Sequence, residues 1–193
     1  LAAGRLLNEQ EQFEQYAGVL RAMNGRPVTI RLLDIGGDKS APFFDIPPEP
    51  NPYLGFRGSR LLLARPDLFD PQARALARAA QVGELRVLYP MIIELPQFLE
   101  LRRRFQEACR GLDLSTARLR HGVMFEVPSA CLQAGELLAA ADFASIGTND
   151  LIQYVFAVDR NNDRVAYDYS PDRAVFWSLL GAFCVAEFFW RKA

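Results

Sequence analysis

Cysteine and histidine are both scarce in this chain. Its 193 residues include a single histidine, His121, and three cysteines at positions 109, 131 and 184. Because the cysteines are odd in number and far apart, with no CxxC pair, the sequence predicts neither a disulfide framework nor a zinc site. We expect these cysteines to be small buried apolar side chains in a reducing compartment. The histidine begins a predicted strand and is expected to be structural.

Neither sign of charge is in excess, since 22 lysines and arginines stand against 23 aspartates and glutamates. Proteins that bind nucleic acid normally carry a basic excess or a basic stripe, so a nucleic-acid partner is not expected. No segment of the signal-peptide type opens the sequence. Together with the cysteine usage, this predicts a cytoplasmic protein without a membrane partner.

The chain is expected to form one domain, because half of its residues are hydrophobic and it has no internal repeat. Apolar runs predict strands at residues 28–35, 85–93, 121–127 and 143–146. Helical spacing predicts helices at residues 8–23, 58–82, 95–110, 128–140 and from 148 to near 160. The second helix is expected to break at Pro66 and to restart near Asp70-Pro71. A proline-rich loop is expected at residues 41–52.

Alternating strands and helices, with strands that are apolar along most of their length, indicate a parallel sheet covered by helices on both sides. The polar residues of interest come late, since Glu126 ends one strand and Asn149 and Asp150 follow another. Active sites of (β/α)₈ barrels gather at the carboxyl ends of the strands. The predicted fold class is therefore α/β, with a (β/α)₈ TIM barrel favoured over a doubly wound open sheet, which places ligands at the same edge.

The most informative stretch is residues 142–160, in which a short buried strand breaks at Gly147 and an apolar helix follows. Asn149 can donate its amide to an anion, as can the backbone N–H groups at the start of the helix. The alternative is that Asn149 or Thr148 only caps the helix. Arg160, about three helical turns on, carries a planar fork suited to a carboxylate or a phosphate.

Two carboxylates are candidates for a metal site. Glu126 lies between Phe125 and Val127, where a charge must be paired or must bind a metal, and Asp150 comes one strand later. Two carboxylates completed by water and substrate oxygens are the usual Mg²⁺ site. The alternative is that Glu126 and Arg31 simply neutralise each other.

Arginines in unusual positions are candidates for anion binding. Arg31 lies inside an apolar strand, which is costly unless a phosphate or a carboxylate neutralises it. The alternative partner is a nearby acid, Asp34 or Asp38. Arg57 and Arg60 open a helix three residues apart and can share one helical face.

Five motifs point to a known family: RLLDIGGDK (31–39), NPYLGFRGSR (51–60), LRVLYPMI (85–92), GVMFEVPSA (122–130) and SIGTNDLIQYVFAVDRNN (145–162). In this order and spacing they resemble the phosphoenolpyruvate (PEP)-binding domain of phosphoenolpyruvate-protein phosphotransferase, Enzyme I of the bacterial sugar phosphotransferase system. The resemblance runs from about residue 9 to residue 169. The AVDRNN ending is more similar to the nitrogen-related paralogue.

The resemblance implies a (β/α)₈ barrel that binds PEP and Mg²⁺. By motif position, four residues would bind the substrate: Arg31, Arg57, Asn149 and Arg160. Two would hold Mg²⁺: Glu126 and Asp150. In the family, the phosphoryl group passes to a histidine on a separate N-terminal domain and then to a small histidine-containing phosphocarrier protein.

The match also has limits. The family's first strand would lie before Leu1, and its product-protonating cysteine beyond Ala193, so no catalytic residue is assigned and this chain alone is expected to be inactive. Residues 1–170 would form about five of the eight strands of a barrel that is incomplete at both ends. Residues 171–193, which contain an apolar helix, match the family poorly. An open barrel exposes strand edges, so a homodimer is expected.

Two other functions stay open. One is a catalytically incompetent module for PEP sensing or dimerisation, and the other is part of an enzyme similar to pyruvate phosphate dikinase.

Overall fold

Strands and helices alternate along most of the chain. The structure is a computed structural model that describes residues 5–36 and 44–190, with side chains described as far as residue 182. It contains four strands: β1 (Val28–Arg31), β2 (Leu85–Tyr89), β3 (Leu119–Phe125) and β4 (Phe143–Ile146). The α-helices are α1 (Glu9–Ala22), α2 (Gly58–Ala64), α3 (Pro66–Ala79), α4 (Leu95–Ala108), α5 (Pro128–Leu132), α6 (Ala134–Ala140), α7 (Thr148–Val155) and α8 (Ala174–Trp190).

The four strands form one parallel sheet in the order β1-β2-β3-β4. Val28 pairs with Leu85, Leu85 with Leu119, and Gly122 with Phe143. The predicted α/β class and the parallel sheet are thus confirmed. The described residues supply four strands rather than five, and they form an open sheet, not a closed eight-stranded barrel.

The larger of two apolar clusters among the described residues lies between the sheet and the helices. Tyr89 of β2 is fully buried and packs edge-on against Phe98 of α4, with ring centroids 5.4 Å apart. Phe69 of α3 and Phe105 of α4 meet in the same edge-on manner at 6.4 Å. The first contact holds α4 against β2, and the second holds α3 against α4. Strand β2 is buried along nearly its whole length, as a parallel strand should be.

The first two strands are shorter than predicted, because a proline ends their pairing. Arg31 is opposite Leu88, so continued pairing would bring Leu33 opposite Pro90. Proline has no backbone N–H to donate to the ladder. The chain therefore leaves the sheet after Arg31, and residues 32–35 turn toward the carboxyl edge. The third strand begins and ends two residues earlier than predicted, which places Glu126 just beyond it.

Two predicted helices are each divided. Helix 58–82 breaks before Pro66, but it restarts at Pro66 itself, which occupies the first helical position, and Pro71 lies inside α3. Helix 128–140 breaks at Gln133, whose side chain accepts a hydrogen bond from the Leu95 N–H at 3.0 Å. In the predicted loop at 41–52, residues 45–52 have neither helix nor strand. Residues 41–43 lie outside the described residues.

The apolar segment near the end of the chain is helical, as predicted, and forms α8. Phe176 is buried in the core, whereas Val175 and Trp177 are exposed. Within the part of the chain that the structure describes, no helix has both the length and the apolar character needed to cross a bilayer. Cys109 and Cys131 are free and buried, as expected, and the side chain of residue 184 lies outside the described set.

Candidate functional site

A polar cavity of ≈ 280 Å³ lies at the carboxyl edge of the sheet. The strands are parallel, so the segments that follow β1, β3 and β4 emerge at this one edge. All six residues predicted from the sequence line the cavity: Arg31, Arg57, Glu126, Asn149, Asp150 and Arg160. The structure therefore brings together all six residues that the family resemblance assigns to substrate or metal binding, although their individual roles are a separate question.

Arg57 is a buried cation held by two carboxylates. It precedes α2 and is only 3% exposed. Its Nε and Nη2 donate to Asp34 at 3.2 and 2.8 Å, and its Nη1 and Nη2 donate to Asp150 at 3.2 Å each. Burial alone would lower the pKa of Arg57, but the two ion pairs outweigh it and the pKa is raised. The expected shared face with Arg60 is wrong, because Arg60 is exposed and donates to the Leu54 carbonyl instead.

Asp150 is a shared acceptor in the first turn of α7. Besides Arg57, it accepts a hydrogen bond from Arg160 Nη1 at 3.4 Å. The helix that was predicted to reach residue 160 ends at Val155, and the backbone of Ala157 has a left-handed φ of 51°. The chain reverses direction at Ala157, so Arg160 lies against the start of α7 rather than three helical turns away from it.

Glu126 is a buried carboxyl just beyond the end of β3. Its Oε1 accepts a hydrogen bond from the Met91 backbone N–H at 2.6 Å. Burial raises the pKa of Glu126 to about 7; the Met91 N–H and the positive charge of Arg31 oppose this shift, and the negative charges of Asp150 and Asp34 add to it. A Cβ on Gly147 would lie 2.5 Å from Glu126 Oε2, so only glycine allows the β4–α7 turn to approach this closely.

Arg31 and Asn149 are the more accessible members of the set. Arg31 Nη1 lies 3.7 Å from Asp34 Oδ2, so its ion pair is with Asp34 and not with Glu126, and its side chain stays 35% exposed. Asn149 does not cap α7, because Gly147 holds the N-cap position. Instead, Asn149 lies in the first turn with its Oδ1 accepting a hydrogen bond from Tyr169 at 3.3 Å.

Three residues that support the site were not assigned to it from the sequence. Asp34 was considered only as a partner of Arg31, yet it binds Arg57 as well. The Tyr53 ring lies 5.9 Å from the Arg57 guanidinium carbon and 4.9 Å from that of Arg160. The Tyr154 hydroxyl donates to the Tyr53 carbonyl at 2.6 Å and accepts from Arg57 at 3.4 Å. The available signal was that each of the three lies in a motif that also holds an assigned residue: Asp34 in RLLDIGGDK, Tyr53 in NPYLGFRGSR and Tyr154 in SIGTNDLIQYVFAVDRNN.

A second cavity, ≈ 620 Å³ in volume, adjoins the first and contains none of the six residues. Tyr53, Met91 and Tyr154 line it, and each also contacts a residue of the polar cavity. The Tyr53 ring lies against Arg57 and Arg160, the Tyr154 hydroxyl accepts a hydrogen bond from Arg57, and the Met91 backbone N–H donates to Glu126. The second cavity is larger but mostly apolar, so the charged groups that chemistry on an anion requires are in the smaller cavity.

The polar cavity combines three guanidinium groups with two carboxyl groups. Such a set suits a multiply charged anion together with a divalent cation, since guanidiniums match phosphate or carboxylate oxygens and carboxylates match a hard cation. No group of three or more histidine, cysteine, aspartate or glutamate side chains is close enough to hold a metal, at least among the described residues. A cation here would thus take two protein carboxylates and complete its shell with substrate and water oxygens.

Comparison with known proteins identifies the family to which this chain belongs. The family model described as "PEP-utilising enzyme, PEP-binding domain" matches residues 1–184. This chain belongs to that family. In this PEP-binding domain the candidate residues lie where the strands end, which agrees with the family resemblance of its sequence motifs.

Several relatives of this PEP-binding domain are much longer than the chain itself. A multiphosphoryl transfer protein of Xanthomonas campestris pv. campestris is 48% identical over 169 residues, covering 86% of this chain and 20% of that protein. A phosphoenolpyruvate-protein phosphotransferase of Geobacillus stearothermophilus is 45% identical over 175 residues, covering 89% of this chain and 30% of that enzyme. The corresponding enzyme of Staphylococcus carnosus is 44% identical over 167 residues, 84% of this chain and 29% of that enzyme. The chain therefore spans less than a third of the length of these relatives.

Proposed function

We propose that this chain is the PEP- and Mg²⁺-binding part of a phosphotransferase that moves the phosphoryl group of PEP to a protein histidine. The observation that carries the proposal is that all six motif residues line one cavity of ≈ 280 Å³. In the proposed reaction the P–O bond to the enol oxygen breaks as a P–N bond to the histidine forms, and the enolate of pyruvate leaves. Such a transfer depends mainly on positioning and on charge neutralisation, which guanidiniums and a divalent ion supply.

The substrate would be held by the cationic and amide side chains. Arg31 and Arg57 would bind the phosphoryl oxygens, and Asn149 and Arg160 would bind phosphoryl and carboxylate oxygens. Arg31 is the most exposed of the three arginines, and among the described residues its one ion pair is that with Asp34 at 3.7 Å, so its guanidinium is available to an entering anion. Asp38, the other partner considered for it, lies outside the described residues. The negative charge that builds on the phosphoryl oxygens would thus meet three guanidinium groups.

Glu126 and Asp150 would hold the Mg²⁺. The fit is favourable because Glu126 and Asp150 are both buried carboxyls that line the polar cavity, where a cation would offset their negative charge. When bound, Mg²⁺ supplies positive charge and a fixed geometry for the phosphate oxygens. Asp150 is now held by Arg57 and Arg160. When substrate oxygens replace Asp150 as acceptors of the arginine N–H groups, Asp150 is released, so substrate and cation should each favour binding of the other.

The proposal also includes the larger assembly. We place the sheet in a (β/α)₈ barrel of a homodimeric cytoplasmic enzyme, whose N-terminal domain carries the phosphorylated histidine and serves a small phosphocarrier protein. The identity of 44–48% to phosphoryl-transfer proteins supports this placement. The AVDRNN ending favours the nitrogen-related branch. A full-length protein of that branch should phosphorylate its own carrier faster than a sugar-branch carrier, and the reverse order would contradict the assignment.

Calorimetry tests the proposal directly. PEP is titrated into the chain with and without millimolar Mg²⁺, and the fold is checked by circular dichroism. We expect binding that tightens when Mg²⁺ is present. Absence of heat at millimolar PEP and Mg²⁺ in a folded sample would contradict the proposal.

A further inference from the structure

Asp34 is a buried carboxylate at the cavity edge that the proposed substrate and metal set does not use. It follows β1 by three residues, and its side chain is only 1% exposed. It accepts hydrogen bonds from Nε and Nη2 of Arg57, and it lies 3.7 Å from Nη1 of Arg31. One carboxylate thus joins the two arginines that are assigned to the phosphoryl group.

We propose that Asp34 is a positioning residue that orients Arg57, and with it Arg31, for binding of the phosphoryl group of the substrate. This inference rests on the proposed function. Asp34 occupies the edge of the Arg57 guanidinium formed by Nε and Nη2. The edge formed by Nη1 and Nη2 is directed toward Asp150 and the cavity. Because Asp34 holds one side of the Arg57 guanidinium, it also determines which side of the guanidinium faces the substrate.

Asp34 and Asp150 have different parts in this arrangement. Asp150 is also bound by Arg160 and is proposed to turn to the cation, so its contact with Arg57 is exchangeable. Asp34 lines no part of the polar cavity and keeps its contact when substrate enters. It is the fixed partner because its side chain is 1% exposed against 7% for that of Asp150, and because the shorter of its two hydrogen bonds to Arg57 is 2.8 Å, whereas both of those to Asp150 are 3.2 Å.

The backbone beside Asp34 fixes the other end of the same side chain. A Cβ on Gly36 would lie 2.7 Å from the Cβ of Arg57, and Gly36 has a left-handed φ of 116°. The segment that follows β1 therefore fixes the stem of Arg57 through Gly36 and its guanidinium through Asp34. A guanidinium fixed at both ends loses little freedom when it binds an anion, which strengthens binding.

The orientation of Arg57 can be measured without any ligand. The ¹⁵N-labelled chain gives an Arg57 Nε–H cross-peak, assigned by its loss in Arg57→Lys. We expect this proton to exchange slowly in the unsubstituted chain and in Asp150→Ala, and rapidly in Asp34→Ala. A slowly exchanging Nε–H that persists in Asp34→Ala would overturn the proposal.

Titration with PEP and Mg²⁺ measures the consequence for binding. Asp34→Ala should weaken PEP binding roughly tenfold, because a misdirected guanidinium loses its contact geometry. Asp34→Asn, which keeps one acceptor oxygen, should restore part of the affinity. Glu9→Ala is the matched control, since Glu9 likewise joins two arginines, Arg74 and Arg78, but lies outside the cavity. Glu9→Ala should lower the free energy of unfolding and leave the affinity for PEP within twofold of that of the unsubstituted chain.

The outcomes separate the two proposals. If Asp34→Ala lowers stability as Glu9→Ala does but binds PEP normally, the role of Asp34 is structural and the inference is wrong. If Asp34→Ala does not fold, Asp34→Asn takes its place in both measurements, with faster Nε–H exchange and weaker binding expected. If the unsubstituted chain binds no PEP, the proposed function fails, and Nε–H exchange still decides whether Asp34 orients Arg57.

Discussion

Arg57 donates hydrogen bonds to both carboxylate oxygens of Asp150 at 3.2 Å, and both side chains are buried. A residue assigned to the substrate and a residue assigned to the cation thus neutralise each other in the protein alone. Burying such a pair costs little free energy while both members are present, because the two charges neutralise each other. Removing one leaves an unbalanced buried charge, which is strongly destabilising.

The arginine pair in GFRGSR offers a test of this network. Arg57→Ala should lower the free energy of unfolding by about 3–5 kcal/mol at pH 7, because Asp34 and Asp150 would both lose their buried counterion. Urea unfolding measures the change. Arg60→Ala, three residues later and exposed, should stay within about 0.5 kcal/mol of the unsubstituted chain. Equal effects of the two substitutions would show that the ion pairs of Arg57 contribute little.

Arg160 is expected to bind the anionic substrate. Arg160→Ala should weaken PEP binding by about 1.5–3 kcal/mol, as expected when a charge-assisted hydrogen bond to an anion is lost. Calorimetry with PEP and Mg²⁺ measures the affinity. Arg164→Ala is the control, since Arg164 is exposed, four residues on, and outside the polar cavity. An unchanged affinity in Arg160→Ala would mean that its assignment is wrong.

Gly147 allows the closest approach in the site. In Gly147→Ala the added methyl group would meet Glu126 Oε2 at 2.5 Å and Met124 Cε at 2.9 Å. We expect a loss of about 1–3 kcal/mol in the free energy of unfolding from overpacking, with weaker Mg²⁺ binding because Glu126 must move. Gly18→Ala, at an open position inside α1, should instead stabilise by about 0.5–1 kcal/mol. Normal Mg²⁺ affinity in Gly147→Ala would argue against Glu126 as a ligand.

His121 should make the protein less stable in acid. Burial lowers its pKa from 6.5 to about 4, the positive charge of Arg102 adds to the shift, and Asp142 opposes it. The unfolded chain takes up the proton near pH 6.5 and the folded protein only near pH 4, so the unfolded state binds more protons between these values. The contribution of His121 to the free energy of unfolding is therefore complete above pH 6.5. It decreases by up to about 3 kcal/mol as the pH falls to 4.

The single histidine makes that prediction easy to isolate. Its imidazole signals in an NMR titration report one pKa, which should lie well below 6.5. His121→Asn cannot titrate in this range, so its free energy of unfolding should depend less steeply on pH between 6.5 and 4. Parallel pH profiles of the two proteins would contradict the lowered pKa. The Tyr89 hydroxyl, 2.9 Å from His121 Nδ1, is the contact most affected by either change.

The sequence predicted which residues line the site but not how they pair. Strand ends and motifs were enough to select all six residues of the polar cavity. The partners of Arg57 come from segments 23 and 93 residues away, and local spacing contains no information about such approaches. For this reason Arg57 was expected on a face shared with Arg60, and Asp34 was considered only for Arg31.

Element types were predicted better than their ends. Each strand was predicted at the correct place, because long apolar runs are a strong signal. The ends depend on pairing between elements: Pro90 stops the ladder for β1 as well as β2, although it lies far from β1 in sequence. The early end of α7 at Val155 likewise depends on the turn at Ala157, in a segment of uniformly apolar residues with no glycine or proline to mark it.

The order of the strands has a consequence for synthesis on the ribosome. Each of β2, β3 and β4 pairs with the strand that immediately precedes it, so every strand emerges after its partner and none must be inserted later between two others. Such a sheet can grow vectorially from its N-terminal side. Asp34 leaves the ribosome shortly before Arg57, whereas Asp150 follows 93 residues after Arg57. The nascent chain can therefore neutralise this buried cation early, and the cavity is completed only when α7 and the turn to Arg160 have been made.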